Sequence, residues 1–222
     1  MTEAFPAQPW HLRGAMFLAL WPVGHRRLPD WPLPAGVRPV TAAGRRCLAT
    51  FWVDYRPGGT LAYRELLVAM AVRDGRGLAA CAVDAWVDDE RSRDGGRALW
   101  GIPKRMGVFA FASPAGRARV HGFRMTVPDD GRGTEVTGTH RDVVRLPGRL
   151  RLCTRLLQPM PEAEGGRGVR EVLLDLRGRT TRLGRAGISA RPGAPLAYLT
   201  GCRPLVAASL DDFRFRIGSA GP

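Results

Sequence analysis

The stretch Gly96-Arg97-Ala98-Leu99-Trp100-Gly101-Ile102-Pro103-Lys104-Arg105-Met106-Gly107 carries the only lysine of a 222-residue chain. Lysine and arginine together number 34, so the other 33 basic residues are arginine. The two side chains are close to interchangeable on a solvated surface. They differ in chemistry, because arginine keeps its proton at any ordinary pH while lysine can lose it and act as a nucleophilic amine. The plain reading of a lone lysine is a leftover surface residue. Its apolar neighbours, Leu99, Trp100, Ile102, Pro103, Met106, Val108 and Phe109, argue instead for an amine sheltered from water.

Outward from this stretch the chain reads as strands separated by turns. Apolar runs span Ala15–Trp21, Leu48–Tyr55, Leu61–Val72, Leu78–Val87, Gly107–Ala112, Arg119–Met125, Arg149–Gln158, Val169–Leu176 and Phe213–Ile217. Turn clusters divide them at Arg56-Pro57-Gly58-Gly59, Arg73-Asp74-Gly75-Arg76-Gly77 and Pro128-Asp129-Asp130-Gly131. Arg117 to Met125 shows the partial alternation of a one-sided strand. Short helices are expected only at Asp89–Leu99 and Ala194–Gly201. The pattern predicts a strand-rich, barrel-like α+β fold in one domain over residues 1–222. Glu162 to Gly168 reads as a surface loop, and no internal repeat is evident.

Composition narrows the function. Hydrophobic residues make up 45% of the chain, enough for a real core. No apolar run reaches membrane-spanning length, and the N-terminus lacks a signal-peptide pattern, so a cytoplasmic protein without a membrane partner is expected. Cys47, Cys81, Cys153 and Cys202 are scattered, and the four histidines lack metal spacing. Neither a disulfide framework nor a metal site is expected. The net charge of +14 suggests attraction to polyanions, but the arginines are spread over the whole chain with no nucleic-acid module. A basic nucleic-acid-binding protein is therefore only the alternative from another class.

The lysine segment resembles the active-site segment of the acetoacetate decarboxylase-like family, which reads roughly Gly-Arg-Glu, a short variable stretch, then Pro-Lys-Lys. The resemblance runs from about residue 9 to 217, with Lys104 at the Schiff-base lysine and Arg105 in place of the second lysine. Ala62-Tyr63-Arg64-Glu65-Leu66 is similar to the family's tyrosine-x-glutamate segment and puts Glu65 at a pocket carboxylate. Pro9-Trp10-His11-Leu12-Arg13-Gly14 matches the segment with an active-site arginine, within a register of one residue. Trp52 takes the place of a second pocket glutamate. The resemblance implies a β-barrel-based fold with a closed pocket, no cofactor, a small keto-acid substrate and a homo-oligomer. It further implies Lys104, Glu65 and Arg105 as catalytic residues, Arg13 as a carboxylate clamp, and Trp52, Trp100 and Met106 as pocket walls. The plain alternatives are a structural Glu65–arginine pair, an exposed Arg13 and a core Trp52.

The chemistry fits a lysine. A β-keto acid decarboxylates by leaving electrons on the carbon beside its ketone, and an iminium accepts them readily. A free lysine titrates near 10.4, so only about one amine in 2,500 is neutral at pH 7. An imine-forming lysine needs burial or a neighbouring cation to disfavour the ammonium. Arg105 is adjacent, yet successive residues of an extended segment point to opposite faces. The expected function is a carbon–carbon lyase that decarboxylates a β-keto acid. The alternative is a lysine-imine aldolase-dehydratase or cyclase of secondary metabolism.

Overall fold

The computed structural model of the protein describes residues 5–112, 119–128, 134–160 and 168–219. The turn residues 129–131, the loop at 162–167 and residues 117–118 of an expected strand lie outside that set. The strands are β1 (Trp10–Gly24), β2 (Arg38–Pro39), β3 (Thr41–Ala42), β4 (Arg45–Tyr55), β5 (Tyr63–Asp74), β6 (Gly77–Val87), β7 (Lys104–Met106), β8 (Val108–Ala112), β9 (Val120–Thr126), β10 (Glu135–Leu146), β11 (Leu150–Pro159), β12 (Val169–Ala190) and β13 (Val206–Ile217). One helix, α1 (Glu90–Trp100), lies between β6 and β7.

Seven strands close on themselves in the order β11-β6-β5-β4-β1-β13-β12, and β12 returns to β11. The neighbours are antiparallel except β6 and β11, which meet in parallel through the single pair Leu156↔Ala80. That thin seam is braced by Arg155 of β11, whose two terminal nitrogens each lie 2.9 Å from an oxygen of Asp74 at the end of β5. Closure removes the sheet edges that an open sheet would expose. β12 then runs on beyond the barrel. Its second half pairs β10, which pairs β9, which pairs β8, giving a flap that covers one outer wall.

Two cores follow from this arrangement. Inside the barrel lie Trp10, Leu12, Met16, Val53, Leu156, Leu176 and Phe213. Between the barrel wall and the flap lie Phe17, Trp21, Trp52, Leu66, Trp86, Phe123 and Ile188. Both faces of β1, β4, β5 and β6 are therefore buried. Such strands read as nearly continuous apolar runs, because neither side of the pleat meets water. On β11 to β13 one face is wet, and arginine alternates with apolar residues, as in Phe213-Arg214-Phe215-Arg216-Ile217.

The structure departs from the sequence expectations in several elements. β10 was not foreseen, because its buried positions are Val136, Gly138 and His140, which form no apolar alternation. β12 extends to Ala190 rather than stopping at Leu176, and β13 begins at Val206 rather than Phe213. The helix expected at Ala194–Gly201 is only a 3-10 turn over Ala197–Leu199, within a Pro- and Gly-bearing loop.

Trp52 belongs to the outer core. Its ring stacks on Phe123 at a centroid distance of 5.3 Å and meets Phe109 and Phe111 edge-on. Gly138 passes so close that a Cβ there would lie 2.7 Å from the Trp52 indole nitrogen. Trp52→Ala is expected to lower stability in urea unfolding by about 3–5 kcal/mol, the usual cost of a large buried cavity. Ligand binding inside the barrel should be unchanged under conditions where the variant is folded.

Candidate active site

The site is built at one end of the barrel by α1 and the turn after it. Asp89 caps the helix by accepting a hydrogen bond from the Ser92 backbone N–H at 2.9 Å. Gly101 ends it in the left-handed region at φ 67° and donates to the Arg97 carbonyl at 3.0 Å. No side chain fits at Gly101 in any case, since a Cβ there would sit 2.5 Å from the Pro159 carbonyl oxygen. Pro103 follows, and the chain turns into β7, which runs parallel to β6 with Ala85 opposite Lys104. This registers Lys104 to the inner face of the wall.

The helix touches the lysine directly. A Cβ at Gly96 would stand 2.6 Å from Lys104 Cδ, and one at Gly95 would stand 2.6 Å from the Trp10 ring. The glycine pair weakens α1 by its own propensity. It also lets the aliphatic stem of Lys104 and the Trp10 indole lie against the helix backbone.

The Lys104 ammonium lies 3.0 Å from Glu65 Oε1, with the two side chains 3% and 5% exposed. It donates to Ser92 Oγ at 3.0 Å and to the Tyr63 hydroxyl at 3.3 Å. Tyr63 in turn donates to Glu65 Oε2 at 3.3 Å. Tyr55 packs on Tyr63 with ring centroids 4.6 Å apart. Burial, reinforced by the charge of Glu65, pushes both phenols well above their ordinary range. They are neutral hydroxyls at neutral pH. The cluster thus offers one amine, one carboxylate and three neutral hydroxyls, all on buried residues.

Above the cluster is a cavity of about 120 Å³. Lys104, Glu65, Tyr55, Tyr63 and Trp100 line one end, and Met16, Phe51, Leu67, Leu156, Leu174 and Phe215 are among its walls. None of the lining residues is an arginine. Among the described residues no group of three His, Cys, Asp or Glu side chains is placed to hold a metal.

The structure brings together Lys104, Glu65 and Trp100 of the residues singled out from the sequence. It separates the others. Arg105 points outward, where it contacts Asp84 and lies 4.6 Å over the Trp86 ring. It cannot act on the amine from there. Arg13 is likewise exposed and lies over Gly58 outside the barrel, while its neighbour Leu12 takes the inward position. Trp52 faces the flap. All three corrections have one cause, the strict alternation of a strand. Met106 shares the side of Lys104 on β7 and packs against the inner core, but it is not among the cavity-lining residues. Ser92 and Tyr55 were missed. Ser92 sits in a polar helix and Tyr55 ends an apolar run, and nothing local marks either.

The comparisons with known proteins agree with this fold. The family model "Acetoacetate decarboxylase (ADC)" matches residues 5–151, and the chain belongs to that family. An acetoacetate decarboxylase from Legionella pneumophila superposes with a TM-score of 0.68 at 14% identity, covering 97% of this chain and 87% of that one. An acetoacetate decarboxylase-like enzyme from Sphingomonas wittichii RW1 gives 0.65 at 17% identity, covering 98% and 93%. The enduracididine biosynthesis enzyme MppR, complexed with the condensation product of pyruvate and imidazole 4-carboxaldehyde, gives 0.62 at 16%, covering 100% and 91%. A comparison with curated proteins finds no match. No helix among the described residues is long and apolar enough to cross a membrane.

Two outcomes are expected. Glu65→Leu leaves a buried ammonium without its partner and should cost about 3–5 kcal/mol in urea unfolding, most of it recovered in the double variant Glu65→Leu/Lys104→Met. The chain has three tyrosines, and burial raises the third, Tyr198, as well. Ultraviolet titration should therefore show no phenolate near pH 10 while the fold persists. With native values above unfolded ones, the stability held by these groups is complete below about pH 10 and is lost as pH rises further.

Proposed function

We propose that the protein is a Schiff-base lyase whose Lys104 amine forms an iminium with a ketone substrate, and that the reaction served is decarboxylation of a β-keto acid. The single observation that carries this reading is the chain's one lysine, buried at the closed end of the barrel within 3.0 Å of Glu65.

The steps use the groups present. Glu65 takes a proton from the Lys104 ammonium, and the neutral amine attacks the ketone carbon. The nitrogen passes one of its protons to the new alkoxide, Glu65 returns the proton it took to the resulting hydroxyl, water leaves and the iminium forms. Cleavage of the bond to the carboxylate sends its electron pair into the iminium, giving carbon dioxide and a neutral enamine. A solvent proton, delivered through Glu65, then adds to the enamine carbon. Hydrolysis releases the ketone and restores the amine. Tyr55 and Tyr63 supply neutral hydrogen bonds to the substrate's oxygens.

The charges support this sequence. The resting site is neutral overall, one ammonium against one carboxylate. The iminium preserves that balance, because it also carries one positive charge. A substrate carboxylate finds no arginine to hold it and stands near Glu65, a like charge in an apolar space. Its loss as neutral carbon dioxide ends the repulsion between the two carboxylates. The electron pair neutralises the iminium, and the net negative charge rests on Glu65 until the solvent proton arrives.

A second reading keeps the same iminium and uses the enamine to make or break a bond to an aldehyde. The condensation product held by MppR favours it. Here too the substrate carbonyl is captured by Lys104, and Glu65 moves the proton.

Incubation with acetoacetate or longer 3-oxo acids and sodium borohydride should add one reduced adduct at Lys104, read by mass, and none at that site in Lys104→Arg. Glu65→Gln should lower carbon dioxide release by about 10²–10⁴-fold. An adduct without carbon dioxide release would move the assignment to the aldol reading. The absence of any adduct would end both.

A further inference from the structure

The cavity has a polar floor and an apolar shaft, and the shaft reaches the surface. On β5 the inward residues rise from Glu65 through Leu67 to Ala69, and on β4 from Tyr55 through Val53 to Phe51. Phe51 stands opposite Leu67, two residues beyond Glu65, which is roughly 7 Å of strand. Over that rise the wall loses its charges and phenols, and Thr154 is the one hydroxyl-bearing residue among the remaining lining residues. At the upper end Phe51, Leu67 and Leu174 face inward yet are only half-buried, and Leu152 is 50% exposed. These side chains belong to the interior pattern of their strands but still meet solvent. The one residue pair shared by β6 and β11, Ala80 and Leu156, also lines the cavity.

A volume of about 120 Å³ drawn out along this shaft is a narrow slot. It suits an unbranched chain better than a ring. A two- or three-carbon keto acid would occupy the floor and leave the shaft wet against apolar walls. We infer that the substrate carries an unbranched hydrocarbon tail of several carbons, with its carbonyl at Lys104 and its tail running past Leu67 to the mouth at Phe51 and Leu152. The inference rests on the imine reading above and names the substrate class of that same site. The tail supplies the binding energy that the site does not draw from a cation.

The test uses methyl ketones, which form the iminium without a carboxylate. Acetone, 2-pentanone, 2-heptanone and 2-nonanone are each titrated against the protein with sodium cyanoborohydride, and the Lys104 adduct is measured by mass. The half-saturating concentration is expected to fall by roughly three- to fourfold for each methylene added until the tail reaches the mouth. Ala69→Phe narrows the shaft and should flatten that dependence. Leu152→Asp, at an exposed position that tolerates a charge, should weaken the longer ketones selectively. Circular dichroism checks the fold of each variant. A length dependence that is flat or reversed in the parent protein overturns the tail while leaving the imine intact. So does a wild-type slope in both variants. No adduct with any of the four ketones overturns the imine reading and the tail together.

Discussion

An ammonium and a carboxylate 3.0 Å apart, both almost wholly removed from water, are the constraint around which the barrel is built. Taking either ion out of water alone costs several kcal/mol, and their attraction offsets this only if the remaining hydrogen-bonding capacity is met. Ser92 and Tyr63 accept from the ammonium, and Tyr63 donates to the carboxylate. The four residues come from three elements: Lys104 from β7, Glu65 and Tyr63 from β5, and Ser92 from α1. The pair can therefore exist only when helix, turn and barrel wall are all in place. Gly96 and Gly101 are required for the same reason, since a side chain at either would displace Lys104 or the turn that delivers it.

Such a pair is not the most stable way to fill a core. Well-packed apolar residues often do as well or better. Its presence at the bottom of an otherwise apolar cavity is what a site needs when an amine must be held out of water yet able to pass its proton to a neighbour. The rest of the fold supplies the seclusion. The flap of β8, β9, β10 and the end of β12 buries the outer face of the wall, so β5 and β6 are packed on both sides. A wall packed on both sides holds Glu65 and Lys104 more firmly than one open to water on its outer face. The weak point is the β6–β11 seam, where the ladder gives way to the Arg155–Asp74 contact. The residue pair at that seam, Ala80 and Leu156, also lines the cavity.

Much of this was legible in the sequence because burial on both faces produces long apolar runs, and those runs located β1, β4, β5 and β6. The lysine was legible for a different reason. In a chain that writes nearly every basic residue as arginine, the exception drew attention before any fold was considered. What was not legible was facing. Arg13, Trp52 and Arg105 each lie within one residue of a position that does line the cavity, namely Leu12, Phe51 or Val53, and Lys104. A one-residue change of register reverses the face of a strand, so sequence proximity alone could not separate them. β10 was hidden because glycine and histidine fill its buried positions. Ser92 was hidden because a polar residue in a polar helix looks solvated until its partner across the turn is known.

The outward facing of the arginines also bears on the +14 charge. Arg13, Arg214 and Arg177 stand opposite one another on adjacent strands β1, β13 and β12, all on the wet face. Charges there act through solvent and are screened within about 8–10 Å at ordinary ionic strength. The cavity is separated from them by the barrel wall, and its own charges cancel locally. The positive surface therefore does little to hold an acid at the floor, although it can raise the rate at which anions arrive. Arrival and retention are thus governed by different parts of the molecule. The exterior sets how an anionic substrate is gathered, and the apolar shaft above Lys104 sets which one remains long enough to form a bond to the lysine nitrogen.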